Sequence, residues 1–209
     1  MSILKKTSIS IDLDKLREWY RELSKNNPPC SEQRWDSDAG RKLWQPGSVA
    51  YGYLLHDQCD GIEIDQSIVS SYKRGVSNST FNIQNEFCKG YMGKILENFP
   101  EAFRANAWTI KPPFRYNLHR DRPWNSYRVQ IALHTNPGCN FLIAKSPYDK
   151  DCEEYSAVHI PTDGYLYFLD TEKRHGAENF GDKDRTHILW QMPIETYDKY
   201  SQMELHING

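Results

Sequence analysis

Leu13, Leu16, Tyr20 and Leu23 recur at spacings of three and four, with Trp19 beside them, and this period predicts an amphipathic helix over 13–25. Asp12 stands where an N-cap is needed, and Asn26-Asn27-Pro28-Pro29 ends the run. A second helical period covers 83–98 and would bury Phe87, Tyr91, Ile95 and Phe99, although Gly90 and Gly93 fall inside it. Between the two, 49–55 reads as a strand, and 30–48 as a polar, Gly/Pro-punctuated loop region carrying Trp35 and Trp44.

From Ala107 onward the texture changes to short strands, predicted at 107–111, 115–119, 127–134, 140–144, 156–160, 165–169 and 185–192. Pro112-Pro113, Asn136-Pro137-Gly138 and Pro161-Thr162-Asp163-Gly164 separate them as turn signals. Regular short strands argue a sandwich or barrel and speak against a βαβ fold. The expected organisation is mainly β with N-terminal helices, a single domain over 1–209. Its helical part, roughly 1–105, would pack on a β core of roughly 106–195.

Composition narrows the partners more than the chemistry. A length of 209 residues is enough for one domain to bury most of its unfolded surface without staples. Twenty-six basic and 28 acidic residues leave a net charge of −2, so no global attraction for nucleic acid or an acidic membrane is expected. No run reaches membrane-spanning length, and Met1-Ser-Ile-Leu-Lys-Lys leads into a charged stretch where a signal peptide would be apolar. The five Cys are widely spaced without a Cys-x-x-Cys pair, which argues against a thiolate site or disulfide scaffold. A cytoplasmic protein is the expectation.

The candidate chemistry sits in Leu118-His119-Arg120-Asp121. On an extended segment His119 and Asp121 point the same way, because side chains alternate across a strand. With His175 from a later segment they make two imidazoles and one carboxylate, the facial set that holds non-haem Fe(II) while leaving positions open. A Mn or Zn hydrolytic site uses the same ligand types. Arg185, opening a strand ten residues beyond His175, tilts the case, since a guanidinium grips a carboxylate bidentately.

Strand parity extends the site. In Tyr127–His134, Val129, Ile131 and Leu133 form an apolar face, while Arg128, Gln130, Ala132 and His134 form the face expected to line a polar cavity. A buried Arg128 needs an anion, for which a co-substrate or substrate carboxylate is the candidate. His187 shares a face with Arg185 and is placed beside the co-substrate. Asn179 is read either as orienting a substrate or as capping a loop, and Trp124, with Trp35 and Trp44, as a candidate aromatic wall over the substrate.

These stretches together resemble the aspartyl/asparaginyl β-hydroxylase-like branch of the 2-oxoglutarate/Fe(II) oxygenases, which includes free-proline hydroxylases. The likeness runs from about Phe103 to Met192: Ala107–Pro113, Leu118–Asp121, Tyr127–Pro137, Gly164–Asp170, His175-Gly-Ala-Glu-Asn179 and Arg185-Thr-His187. It implies a double-stranded β-helix, or jelly roll, of cupin-like form. It places His119, Asp121 and His175 on Fe(II), Arg185 on the distal carboxylate of 2-oxoglutarate, and Arg128 near co-substrate or substrate. The family often has His where Gln130 stands and a small polar residue where His187 stands. Some members replace the carboxylate ligand by Gly, and retained Asp121 favours hydroxylation over halogenation. The implied reaction consumes O2 and 2-oxoglutarate, releases succinate and CO2, and hydroxylates an amino acid, free or peptidyl. Desaturation, cyclisation or demethylation by the same cofactors, and a non-catalytic metal or 2-oxoglutarate sensor, are the rival readings.

Overall fold

The computed structural model describes residues 3–29, 31–34, 48–57, 82–121 and 125–208. The strands are β1 (Leu4–Ile11), β2 (Ser31–Arg34), β3 (Val49–Leu54), β4 (His56–Asp57), β5 (Ile83–Gln84), β6 (Phe103–Lys111) and β7 (Phe114–His119). They continue as β8 (Ser126–His134), β9 (Cys139–Ala144), β10 (Tyr155–Val158), β11 (Tyr165–Leu169), β12 (His175–Asn179), β13 (Arg185–Pro193) and β14 (Glu204–Ile207). Helices α1 (Leu13–Asn26), α2 (Tyr91–Glu97) and α3 (Tyr197–Ser201) complete the set used below.

Strands β6 to β13 form the jelly roll. Four of them, in the order β11-β8-β13-β6, lie in a large sheet, and the other four, β10-β9-β12-β7, make the facing small sheet. The chain crosses between sheets at nearly every connection, which is the winding of a double-stranded β-helix. The large sheet is extended to eight strands by β14 and β1 on one side and by β3 and β2 on the other. The N-terminal part is therefore not only helical: it also supplies edge strands to the barrel.

The period-2 pattern of the large sheet feeds a core on each of its faces. Val129, Ile131 and Leu133 of β8 and Ile188, Trp190 and Met192 of β13 face outward onto Leu16, Tyr20 and Leu23 of α1 and Met92 and Ile95 of α2. The alternate positions face the barrel interior, where Ala132 packs with Phe141, Ile160, Tyr167 and Leu169. One face of the large sheet thus carries the stabilising helices, leaving the other to line the cavity.

Helix α1 has the predicted extent, and Asp12 caps it by accepting from the Lys15 N–H. The second helix is shorter than its period implied. Residues 83–84 are a strand and 86–88 a 3-10 turn, and only 91–97 is α-helical. Asn85 accepts from the Phe87 N–H, and Gly90 takes φ +80°, a backbone turn that interrupts any continuous helix. Tyr91, Ile95 and Phe99 are nevertheless buried as expected.

Candidate metal centre

Strands β7 and β12 are antiparallel neighbours whose register sets His119 directly opposite His175. Their rings lie 4.4 Å apart, with Tyr116 3.9 Å from His119 and Phe141 stacked on His175 at 5.5 Å. The segment holding His175, expected to lie between strands, is itself a strand. Its Gly-Ala-Glu-Asn run has little strand propensity, but pairing with β7 on one side and β9 on the other overrides that. The register slips next to His175, and there a Cβ on Gly176 would meet the Tyr116 carbonyl at 2.5 Å. Glycine at 176 is what lets the two histidine-bearing backbones approach.

Asp121 lies just beyond the end of β7, with its backbone N–H donating to the Thr171 carbonyl at 2.9 Å. Ligand atoms of His119, Asp121 and His175 all fall within 4.8 Å of one another. Each histidine presents the same nitrogen. His119 Nδ1 sits 2.8 Å from the Asn117 carbonyl and His175 Nδ1 2.9 Å from the Lys173 carbonyl. A carbonyl only accepts, so each Nδ1 donates its N–H there and Nε2 is the atom of each ring left for a cation. His175 Nε2 is buried with no hydrogen-bond partner among the described residues. Burial first, then the His119 ring, pushes the His175 pKa down to about 3. Burial resists ionisation of Asp121, but the Arg128 guanidinium and His119 outweigh it, holding the carboxyl well below the usual range. Two imidazoles and an anionic carboxylate, one nitrogen otherwise orphaned, fit a divalent cation.

Arg185 opens β13 deep in the barrel. Its Nε is 3.0 Å from His187 Nε2 and its Nη2 2.8 Å from His187 Nδ1. A neutral imidazole has one accepting nitrogen, so one contact is an N–H···N bond and the other a close edge contact. No carboxylate among the described residues pairs with Arg185, which burial and the Arg128 charge push down to about 10. Gln130, 2% exposed on the same interior side, has an Nε2 with no partner among the described residues.

The structure bears on three expectations. The anion on Arg128 is Asp121, whose Oδ2 accepts from Nη2, so this guanidinium is held by a metal-site residue. His134 leaves the cavity face: a bulge shifts the β8–β13 register between Ala132 and His134, and its ring packs 6.2 Å from Tyr20 of α1. Asn179, fully buried, donates to the Ile110 and Lys183 carbonyls and accepts from Asn136 and Gly181, which leaves it as a loop clamp. Trp124, Trp35 and Trp44 lie outside the described residues. Sequence reasoning missed Gly176 and the carbonyls of Asn117, Lys173 and Thr171; backbone acceptors carry no residue signature.

His187 supplies a pH test of this buried wall. Burial first, then Arg185 and His159, hold its pKa well below 6.5. The unfolded chain therefore binds a proton below pH 6.5 that the folded chain refuses, and stability must fall as pH drops through that range. Replacing His187→Gln is expected to flatten the fall in urea-unfolding free energy between pH 7 and 5. Identical slopes in the two proteins would contradict a buried neutral imidazole at this position.

No family model matches the chain, and no curated protein does. Among solved structures, similarity extends to an oxidoreductase of the 2OG-Fe(II) oxygenase family from Burkholderia pseudomallei (14% identity, 88% of this chain, 80% of that one, TM-score 0.49). It extends also to SnoN, a non-heme alpha-ketoglutarate dependent epimerase from nogalamycin biosynthesis (12%, 91% and 78%, TM-score 0.49). A third is a prolyl-4-hydroxylase from Pseudomonas putida (13%, 91% and 92%, TM-score 0.41). Among the described residues, no helix is long and apolar enough to cross a membrane.

Proposed function

We propose that this protein is a 2-oxoglutarate/Fe(II)-dependent dioxygenase that hydroxylates a C–H bond of an amino acid, free or within a peptide. The observation that carries the reading is the convergence of His119 Nε2, His175 Nε2 and the Asp121 carboxylate, with both Nδ1 atoms tied to backbone carbonyls. Fe(II) with bound 2-oxoglutarate supplies the chemistry: reduction of O2 coupled to decarboxylation of the keto acid to succinate and CO2. What the chain contributes is position. His119, Asp121 and His175 would hold the metal, and the keto acid and O2 would bind beside them. Arg185 is a buried cation with no acid beside it among the described residues, and the distal carboxylate of 2-oxoglutarate would complete it. Gln130 Nε2 is a further interior donor for an oxygen of that ligand. Beyond holding these groups, the interior walls exclude water and fix the target carbon; no protein acid or base is needed to break the C–H bond. The amino-acid substrate class rests on the motif resemblance.

Anaerobic addition of Fe(II) and 2-oxoglutarate is expected to produce a weak visible charge-transfer band. An amino-acid and peptide library should then contain a member that gains one oxygen while succinate is released. Absence of the band in correctly folded protein would defeat the metal and co-substrate assignment. A product lighter by two hydrogens would keep the cofactors and replace hydroxylation by desaturation.

A further inference from the structure

Asp121 has two carboxylate oxygens, and the two have different surroundings. Oδ1 lies 3.6 Å from His119 Nε2, on the side where the imidazoles converge. Oδ2 accepts from Arg128 Nη2 at 2.5 Å. Resting on the metal reading of this site, we propose that Arg128 is a positioning residue: by occupying Oδ2 it makes Asp121 a one-oxygen metal ligand.

The mechanical argument lies in where each residue is anchored. Asp121 stands just past a strand end and is held there by one backbone bond to Thr171. Its Oδ1 is 3.6 Å from His119 Nε2, beyond hydrogen-bond range, so among the described residues the bond that fixes the carboxylate plane is the one from Arg128. Arg128 stands in β8, flanked on both sides, where its backbone is in register with Leu169 of β11 and Gln191 of β13. The guanidinium is thus presented from a rigid central strand, and a charge-assisted bond from it fixes the plane and rotamer of Asp121. A carboxylate with both oxygens free can chelate a cation through both, as it often does with hard ions. One such extra bond would consume a coordination position that the keto acid or O2 requires. Arg128 also differs from Arg185 in this respect. Arg185 has no acid among the described residues, whereas the anion on Arg128 is already supplied by the protein. The two guanidinium groups divide the work, the half-buried Arg128 holding the ligand set and the buried Arg185 awaiting a ligand.

Mn(II) alone tests this without turnover, co-substrate or substrate. A six-coordinate ion held by three protein atoms keeps about three waters, which water-proton relaxivity counts. The wild-type chain is expected to show that number. Arg128→Gln is expected to bind Mn(II) roughly 10- to 100-fold more weakly, or to retain one water fewer because Asp121 now chelates through both oxygens. Unchanged affinity together with an unchanged water count in folded Arg128→Gln would overturn the proposal and leave Arg128 as a direct contact for a bound anion. If that variant does not fold, the wild-type count decides: two waters would put both Asp121 oxygens on the ion and overturn it equally. A wild-type chain binding Mn(II) no better than His175→Ala would remove the metal reading itself, a distinct result from wild-type binding that Arg128→Gln fails to change.

Discussion

His175→Ala is expected to abolish metal binding and turnover together while leaving the barrel folded. His175 Nε2 is buried and without a partner among the described residues. An unmet buried acceptor costs about 1–3 kcal/mol, and a cation restores that interaction. Removing the ring deletes one of three ligands and opens a path for water beside Phe141. Affinity for Fe(II) or Mn(II) should fall below what calorimetry detects at tens of micromolar protein. Thermal stability of the metal-free variant should change little, because loss of packing against Phe141 and His119 is offset by loss of the orphaned nitrogen. The combination is diagnostic. A variant that keeps metal affinity and activity would show that His175 is only a packed core ring, whereas one that unfolds would make the ring structural first.

Much of this site is legible in the sequence because its chemistry depends on residue type. His-x-Asp, a later His and a following Arg carry that information even before any strand is placed. The strand texture after Ala107 is equally legible, since β6 to β11 and β13 are marked by alternating apolar positions between turn residues. Two kinds of information are not written this way. Register is one: nothing in His175-Gly-Ala-Glu-Asn179 announces a strand, yet pairing with β7 brings His175 opposite His119 and makes Gly176 necessary. Strand β1 is similar. Its Ile9 and Ile11 alternate with serines, a short signal that acquires meaning only through pairing with β11 and β14.

The other missing information concerns exceptions to alternation. Parity assigns Arg128, Gln130, Ala132 and His134 to one face, and three of the four do face inward. The bulge beyond Ala132 then turns His134 toward α1, where Tyr20 meets it. A bulge depends on what the partner strand does, so a strand read by itself cannot reveal it. The same limit hid the Arg128–Asp121 pair. Each residue carries its own signal in the sequence, but their contact joins a strand to the loop after another strand, and only the folded geometry supplies it.

Arg185→Met is expected to weaken 2-oxoglutarate binding by two to three orders of magnitude, yet to leave the protein without 2-oxoglutarate as stable as the parent or more so. The two effects have one cause. Arg185 is buried against His187, with Arg128 as a nearby like charge and no described acid beside it. A guanidinium in that position costs desolvation energy that a neutral imidazole repays only in part. Binding an anionic ligand completes the pair, so losing the cation strands a buried carboxylate at a cost of about 3–4 kcal/mol, a factor of roughly 10² to 10³. Without ligand the balance reverses, because an unbranched apolar chain of similar length fills the space without charge. Titration of the visible Fe(II)–2-oxoglutarate band and urea unfolding of ligand-free protein measure the two halves. Weaker binding with a loss of several kcal/mol in ligand-free stability would mean that Arg185 supports the fold through contacts other than its charge. Unchanged binding would move the distal carboxylate elsewhere, and Gln130 Nε2 and Arg128 Nε, both without a partner among the described residues, would be candidate donors to receive it.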